Sequence, residues 1–145
     1  MKNTKMIEVN FFNKTEYDIK SFEKQGEVIV QNAYKYMKVT GDKEISYIFL
    51  NNDEIQSMNN EYREKDYPTD VLTFPGEDEY LGDIFISIEK VTEQAKEFNH
   101  SVETEMSFMF VHGFLHAIGY DHMNDEDHEV MFDLQDQILG VKDDL

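Results

Sequence analysis

The chain reads as an α+β fold: a mixed four-stranded sheet covered by helices, in one domain spanning residues 1–145. Three observations predict it. Strand-like and helix-like patterns alternate through the first half of the sequence. Two strand-like segments, Val71–Phe74 and Ile84–Ile86, are joined by a stretch too short for a helical crossover, so they should pair antiparallel. The last third carries helical periodicity alone.

In chain order, Ile7, Val9 and Phe11 alternate with polar residues, as on a half-buried strand. Phe22, Ile29, Val30, Ala33 and Met37 fall at helical spacing and place a helix at roughly 17–38. Gly41-Asp42 signals a turn. Ile45 to Leu50 is a dense run of β-formers and reads as a central strand. Asn52 is set to cap the following helix, with Asp53 and Glu54 in its first turn and Ile55, Met58 and Tyr62 as its buried stripe. Val71–Phe74 is a strand that stops at Pro75-Gly76, and Pro75 to Asp83 suits a long hairpin connection to the strand Ile84–Ile86. Ser87 caps a helix through about Phe98, and Ser101 caps the next, with Glu103 in its first turn. That helix carries Val102, Met106, Met109, Phe110, Phe114 and Ile118 on more than one face, the pattern of a buried helix. Asn124 or Asp125 caps a last helix with the stripe Val130, Met131, Leu134 and Ile138, ended by Gly140.

Length and composition suit one small enzyme-sized domain. At 145 residues the chain can bury a core without disulfide staples, and it has no cysteine with which to make one. Any metal must then be held by His, Asp or Glu. No apolar run approaches the ~20 residues that cross a bilayer, which argues against a membrane partner. The start, Met1 to Val9, shows no signal-peptide pattern, so a cytoplasmic address is the default expectation. The formal net charge is −18, which argues against broad phosphate-gripping contact with nucleic acid. Acid crowds the C-terminal stretch, from Asp121 through Asp136 to Asp144, and reads mostly as a solvated face.

The run from His112 to His122 carries the chemistry. His112 and His116 are four apart, so on a helix their imidazoles share one side. Gly119 can take positive φ and stop the helix, letting the chain fold back and bring in His122. Three converging imidazoles with a fourth position left to water are a catalytic zinc site, one Zn²⁺ per chain. The spacing H-x-x-x-H-x-x-G-x-x-H is that of the metzincin signature, with Gly113 where the glutamate would stand. The remaining histidines fall outside the pattern: His100 at a helix boundary and His128 on the acidic surface of the last helix.

Arg63 is the only arginine, against twelve lysines. It lies between a helix and a strand, where a planar fork could grip a phosphate in two places; a structural ion pair is the alternative. Asp70 could cap or orient a neighbouring loop. Asp121 could hydrogen-bond the second nitrogen of a metal-bound histidine.

These residues also carry a resemblance. The run His112-Gly113-Phe114-Leu115-His116-Ala117-Ile118-Gly119-Tyr120-Asp121-His122 resembles the H-G-x-L-H-x-x-G-Y-D-H signature of the YbeY family, bacterial endoribonucleases also called ribosomal RNA maturation factors. Residues Asn59 to Phe74 are similar to the family's N-x-x-Y-R-x-K-D-x-P-T-D-V-L-S-F, with Thr73 where serine is common. Leu81 to Ser87 resembles its L-G-D-I-x-I-S. The blocks come in family order. The resemblance implies a zincin-like fold, with zinc on His112, His116 and His122 and a functional Arg63. It implies a zinc-dependent, single-strand-specific endoribonuclease in small-subunit rRNA maturation and ribosome quality control. Single-stranded rRNA and the small ribosomal subunit or assembly proteins would be its partners. An acidic chain of this kind would have substrate delivered by such a partner.

The missing glutamate shapes the chemistry. Zinc peptidases use it as general base on the metal's water, which Gly113 cannot do. Phosphodiester cleavage needs fewer parts: zinc polarises a phosphoryl oxygen, and an arginine stabilises developing charge. The expected reaction is zinc-assisted RNA cleavage with Arg63 as phosphate clamp. The nucleophile, zinc hydroxide or a ribose 2′-hydroxyl, stays open. Two rivals remain: a metallopeptidase-like hydrolase with its base supplied by Glu64 or Asp70, and a ribosome-assembly factor with a structural zinc.

Overall fold

The computed structural model of the chain describes residues 7–63, 70–120 and 125–140, without the side chains of residues 63 and 125–128. Four strands and five helices follow in the order β1 (Ile7–Asn13), α1 (Lys20–Tyr36), β2 (Lys43–Leu50), α2 (Asn52–Arg63), β3 (Val71–Pro75), β4 (Tyr80–Ser87), α3 (Ile88–Glu97), α4 (Val102–Ala117) and α5 (Asp125–Leu139). The sheet order is β1-β2-β4-β3. β1, β2 and β4 run parallel, and β3 pairs antiparallel with β4, with Val71 opposite Ile86 and Pro75 opposite Gly82. The mixed four-stranded α+β expectation holds.

Alternation along the strands sorts their side chains onto two faces. Ile45, Tyr47, Phe49, Ile84 and Ile86 point into the larger core, shared with α1, α3, α4 and Met131 of α5. Ile48, Leu50 and Leu72 point the other way, where Ile55 of α2 covers them. β2 is buried over its last six residues because both its faces are covered.

Several boundaries differ from expectation, each for a local reason. The β3–β4 connection is tight, because pairing continues through Phe74–Asp83 and Pro75–Gly82. Polar Tyr80, Gly82 and Asp83 look like loop but belong to β4. Leu81 is an extra residue in the β2–β4 register, and Gly82 beside it sits at φ +150°, where a Cβ would meet the Phe74 carbonyl at 2.6 Å. α1 starts at Lys20 and not near residue 17, because the Asn13 carboxamide oxygen holds the Thr15 N–H and Asp18 holds the Lys20 N–H in side-chain turns. The residue capping α2 is Asn51: its carbonyl accepts from Ile55, and its own N–H donates to Glu54 at 3.1 Å. Asn52 instead uses its carboxamide oxygen to accept from Ser87. Tyr62 is exposed on the last turn of α2, edge-on to Phe74, and Val130 of α5 is also exposed.

The expected caps Ser87 and Ser101 are in place, accepting from the N–H groups of Lys90 and Thr104. Among the described residues, no helix is long and apolar enough to cross a membrane.

Candidate active site

α4 is built into the core just before its first histidine. Phe110 is fully buried and meets Phe11, Tyr47 and Phe49 edge-to-face, with ring centroids 5.2–6.3 Å apart. Its ring lies over Gly26 of α1, where a Cβ would stand 2.8 Å from it. The Tyr47 hydroxyl donates to the Phe110 carbonyl at 2.8 Å. Burial pushes the Tyr47 phenol above its ordinary pKa, so it stays a neutral donor. This clamp fixes the height and rotation of α4 against the sheet.

His112 and His116 follow on the open face of that helix, both half-buried. Their ring centroids are 4.6 Å apart at an interplanar angle of 69°. Gly113 faces inward between them. A Cβ there would lie 2.7 Å from Cγ2 and 2.9 Å from Cγ1 of Ile84 on β4. The helix is seated so closely on the strand that position 113 has no room for any side chain. The glutamate of the peptidase signature is therefore excluded by packing as well as absent from the sequence.

The helix ends as its glycine requires. Gly119 has φ +112°, its N–H donates to the His116 carbonyl at 3.0 Å, and the Tyr120 N–H reaches back to Leu115 at 2.9 Å. That is a Schellman closure, which turns the chain two residues after α4 ends at Ala117. His122 and Asp121 lie beyond it, outside the described residues. Glu64, Lys65 and the proposed cap Asn124 are outside as well, as are the side chains of Arg63 and His128.

One partner of the site escaped the sequence reading. Gln135 of α5 is 1% exposed, and its Oε1 is 2.9 Å from His112 Nδ1. With the carboxamide oxygen as acceptor, Nδ1 carries the proton and Nε2 keeps a lone pair directed elsewhere. Gln135 is four residues after buried Met131 and three before Ile138, so a polar residue stands on the inward stripe. That position was the available signal.

Arg63 is the last residue of α2 and not a loop residue. α2 lies on the sheet face opposite α4, and β3, which follows it, is an edge strand. Asp70, just before β3, is tied down: its carbonyl accepts from Ser87 N–H and its carboxylate from Gln94 Nε2. The same Gln94 amide donates to buried Glu105 of α4, whose other oxygen is 2.6 Å from His100 Nε2. The Asp70 carboxylate thus ties the start of β3 to helix α3, where capping or orienting a neighbouring loop was expected, and His100 lies at the α3–α4 boundary as expected. Among the described residues no group of three His, Asp or Glu side chains converges on one point, and His112 with His116 is the pair of imidazoles brought together.

The chain is similar to a set of known proteins along nearly its whole length. The family model described as Endoribonuclease YbeY matches residues 8–141. The Endoribonuclease YbeY of Mycoplasma capricolum is 41% identical over 146 residues, covering 94% of this chain and 89% of the relative. That of Acholeplasma laidlawii is 43% identical over 137 residues, covering 92% and 96%. The solution structure of TM1509 from Thermotoga maritima superposes with a TM-score of 0.62 at 29% identity, covering 91% of this chain and 89% of that one. On the family match and these relatives, the chain belongs to the Endoribonuclease YbeY family.

Proposed function

We propose that this chain cleaves single-stranded RNA with one zinc ion held by His112, His116 and His122, and that Arg63 binds the scissile phosphate. The RNA is ribosomal: the work is small-subunit rRNA maturation and ribosome quality control, in the cytoplasm, with substrate presented by the small subunit or an assembly protein. The observation that carries the reading is the His112–His116 pair, side by side on a rigid helix immediately before a glycine turn. The donor set fits zinc, since neutral imidazole is a common zinc ligand and Gln135 supports the His112 ring from its Nδ1 side.

Bound there, zinc supplies Lewis acidity toward water and toward a phosphoryl oxygen. The chain's own residues do the rest. Gln135 holds the His112 ring in one tautomer and one orientation. The Phe110 clamp holds both rings at fixed height. Arg63 offers a forked pair of N–H donors to the phosphate and stabilises charge that develops on it. Position 113 cannot supply the peptidase base, because Ile84 fills the space where its side chain would stand. That packing favours phosphodiester over peptide hydrolysis.

The test is cleavage of a purified single-stranded RNA by wild type and His116→Ala, with bound metal measured in parallel. Wild type should carry about one zinc per chain and cleave; His116→Ala should do neither. Cleavage that survives the substitution would overturn the reading.

A further inference from the structure

We infer that Phe98, His100 and Phe108 form a stacking platform for an unpaired base of the RNA whose backbone is cut beside His112 and His116. This deepens the endoribonuclease reading above and rests on it.

The three rings make a row. Phe98, just after α3, is 61% exposed, the highest value among the large apolar side chains of the described residues. Its centroid is 6.0 Å from that of His100, which is 6.3 Å from that of the half-buried Phe108. The middle ring is held in place, because His100 Nε2 bonds to Glu105, itself 4% exposed and held by Gln94. Phe108, His112 and His116 then follow at four-residue intervals on α4. They share one helix face, each about 6 Å along the axis from the last. The aromatic row runs directly into the imidazole pair.

Charge explains why such a platform is needed. The chain carries 31 acidic against 13 basic residues. Near the row, α3 and α4 present Glu93, Glu97 and Glu103 against Lys90 and Lys96. That surface is poorly suited to gripping phosphates. Stacking needs no basic residue, and unpaired RNA bases stack on Phe and His rings. It also selects single strands, since a paired base has both faces occupied.

The experiment measures cleavage kinetics of zinc-loaded wild type, Phe98→Ala, Phe98→Tyr and Phe108→Leu on one single-stranded RNA and on a series of it with single abasic sites. Losing one stacked base should raise KM about tenfold in Phe98→Ala, with kcat, zinc content and Tm near wild type. Phe98→Tyr should restore KM, and Phe108→Leu should raise it while keeping apolar volume. One abasic position should weaken wild type to a similar degree and add little to Phe98→Ala. A KM for Phe98→Ala within twofold of wild type overturns the platform and leaves the nuclease reading standing. So does a raised KM that tyrosine does not restore, or that no abasic position reproduces. A wild type that cleaves no RNA overturns both.

Discussion

The two faces of the sheet are built differently. On one, α1 and α4 close over a deep aromatic core centred on Phe110, and α4 presents His112 and His116. On the other, α2 rests on Ile48, Leu50, Ile55 and Leu72, and its last turn leaves Tyr62 exposed as it reaches Arg63. The heavy face fixes two rings to a defined spacing, which ligands to a metal require. The thin face carries the arginine on a helix end, where a long side chain can adjust to a substrate. Rigidity is concentrated around the imidazole pair, and the proposed phosphate-binding residue stands at a helix end on the other face.

Putting the missing glutamate back attacks the heavy face hardest. Gly113→Glu forces a carboxylate against Ile84, and overpacking plus a buried charge should cost more than about 3 kcal/mol. Circular dichroism melting should show a large drop or no folded protein, and no peptidase activity should appear. A well-folded Gly113→Glu protein would show that α4 can lift off β4.

Paired truncations then compare the faces directly. Phe110→Ala should cost about 3–5 kcal/mol and take zinc retention with it; Ile55→Ala should cost about 2–4 kcal/mol and leave zinc content intact. Denaturant melts with metal analysis on both variants decide it. Zinc loss in Ile55→Ala would mean that the thin face also positions the metal.

Gln135→Leu sharpens the claim at one hydrogen bond. Zinc affinity by chelator competition should fall about 10- to 100-fold, and Gln135→Glu, which still accepts from Nδ1, should hold zinc. Nitrogen NMR of the metal-free protein should show the His112 tautomer shifting in the leucine variant and staying fixed in the glutamate one. The smallest structural effect belongs to Arg63→Lys: Tm and zinc content should stay near wild type while RNA cleavage falls, because the charge remains and the fork is lost. A matching loss of stability would indicate a structural ion pair.

What could be read from the sequence follows from how local each signal was. Ser87, Ser101 and Gly119 act through bonds within a few residues, and each does in the structure what its type and position imply. The antiparallel β3–β4 pair followed from connection length. Asn51 and Asn52 are chemically equal caps, and bonds from distant elements, Ser87 O–H to the Asn52 carboxamide and Asn52 N–H to Glu89, help to separate them. Tyr62 and Val130 sit at buried spacing but stay exposed among the described residues. Gln135 is legible as an oddity on an apolar stripe, yet its role depends on a ring 23 residues earlier on another helix. Spacing pointed to His122 and the lone arginine to Arg63, with the resemblance agreeing on both, and the described side chains do not extend to either.

Zinc at the His112–His116 pair acting on RNA is tested most directly by a metal titration. Purified protein should be stripped of metal, reloaded with increasing zinc, and assayed on single-stranded RNA at each ratio. Cleavage should rise linearly and saturate at one zinc per chain, with no cleavage in His116→Ala at any ratio. Full cleavage by metal-free protein, or by zinc-treated His116→Ala, would contradict it.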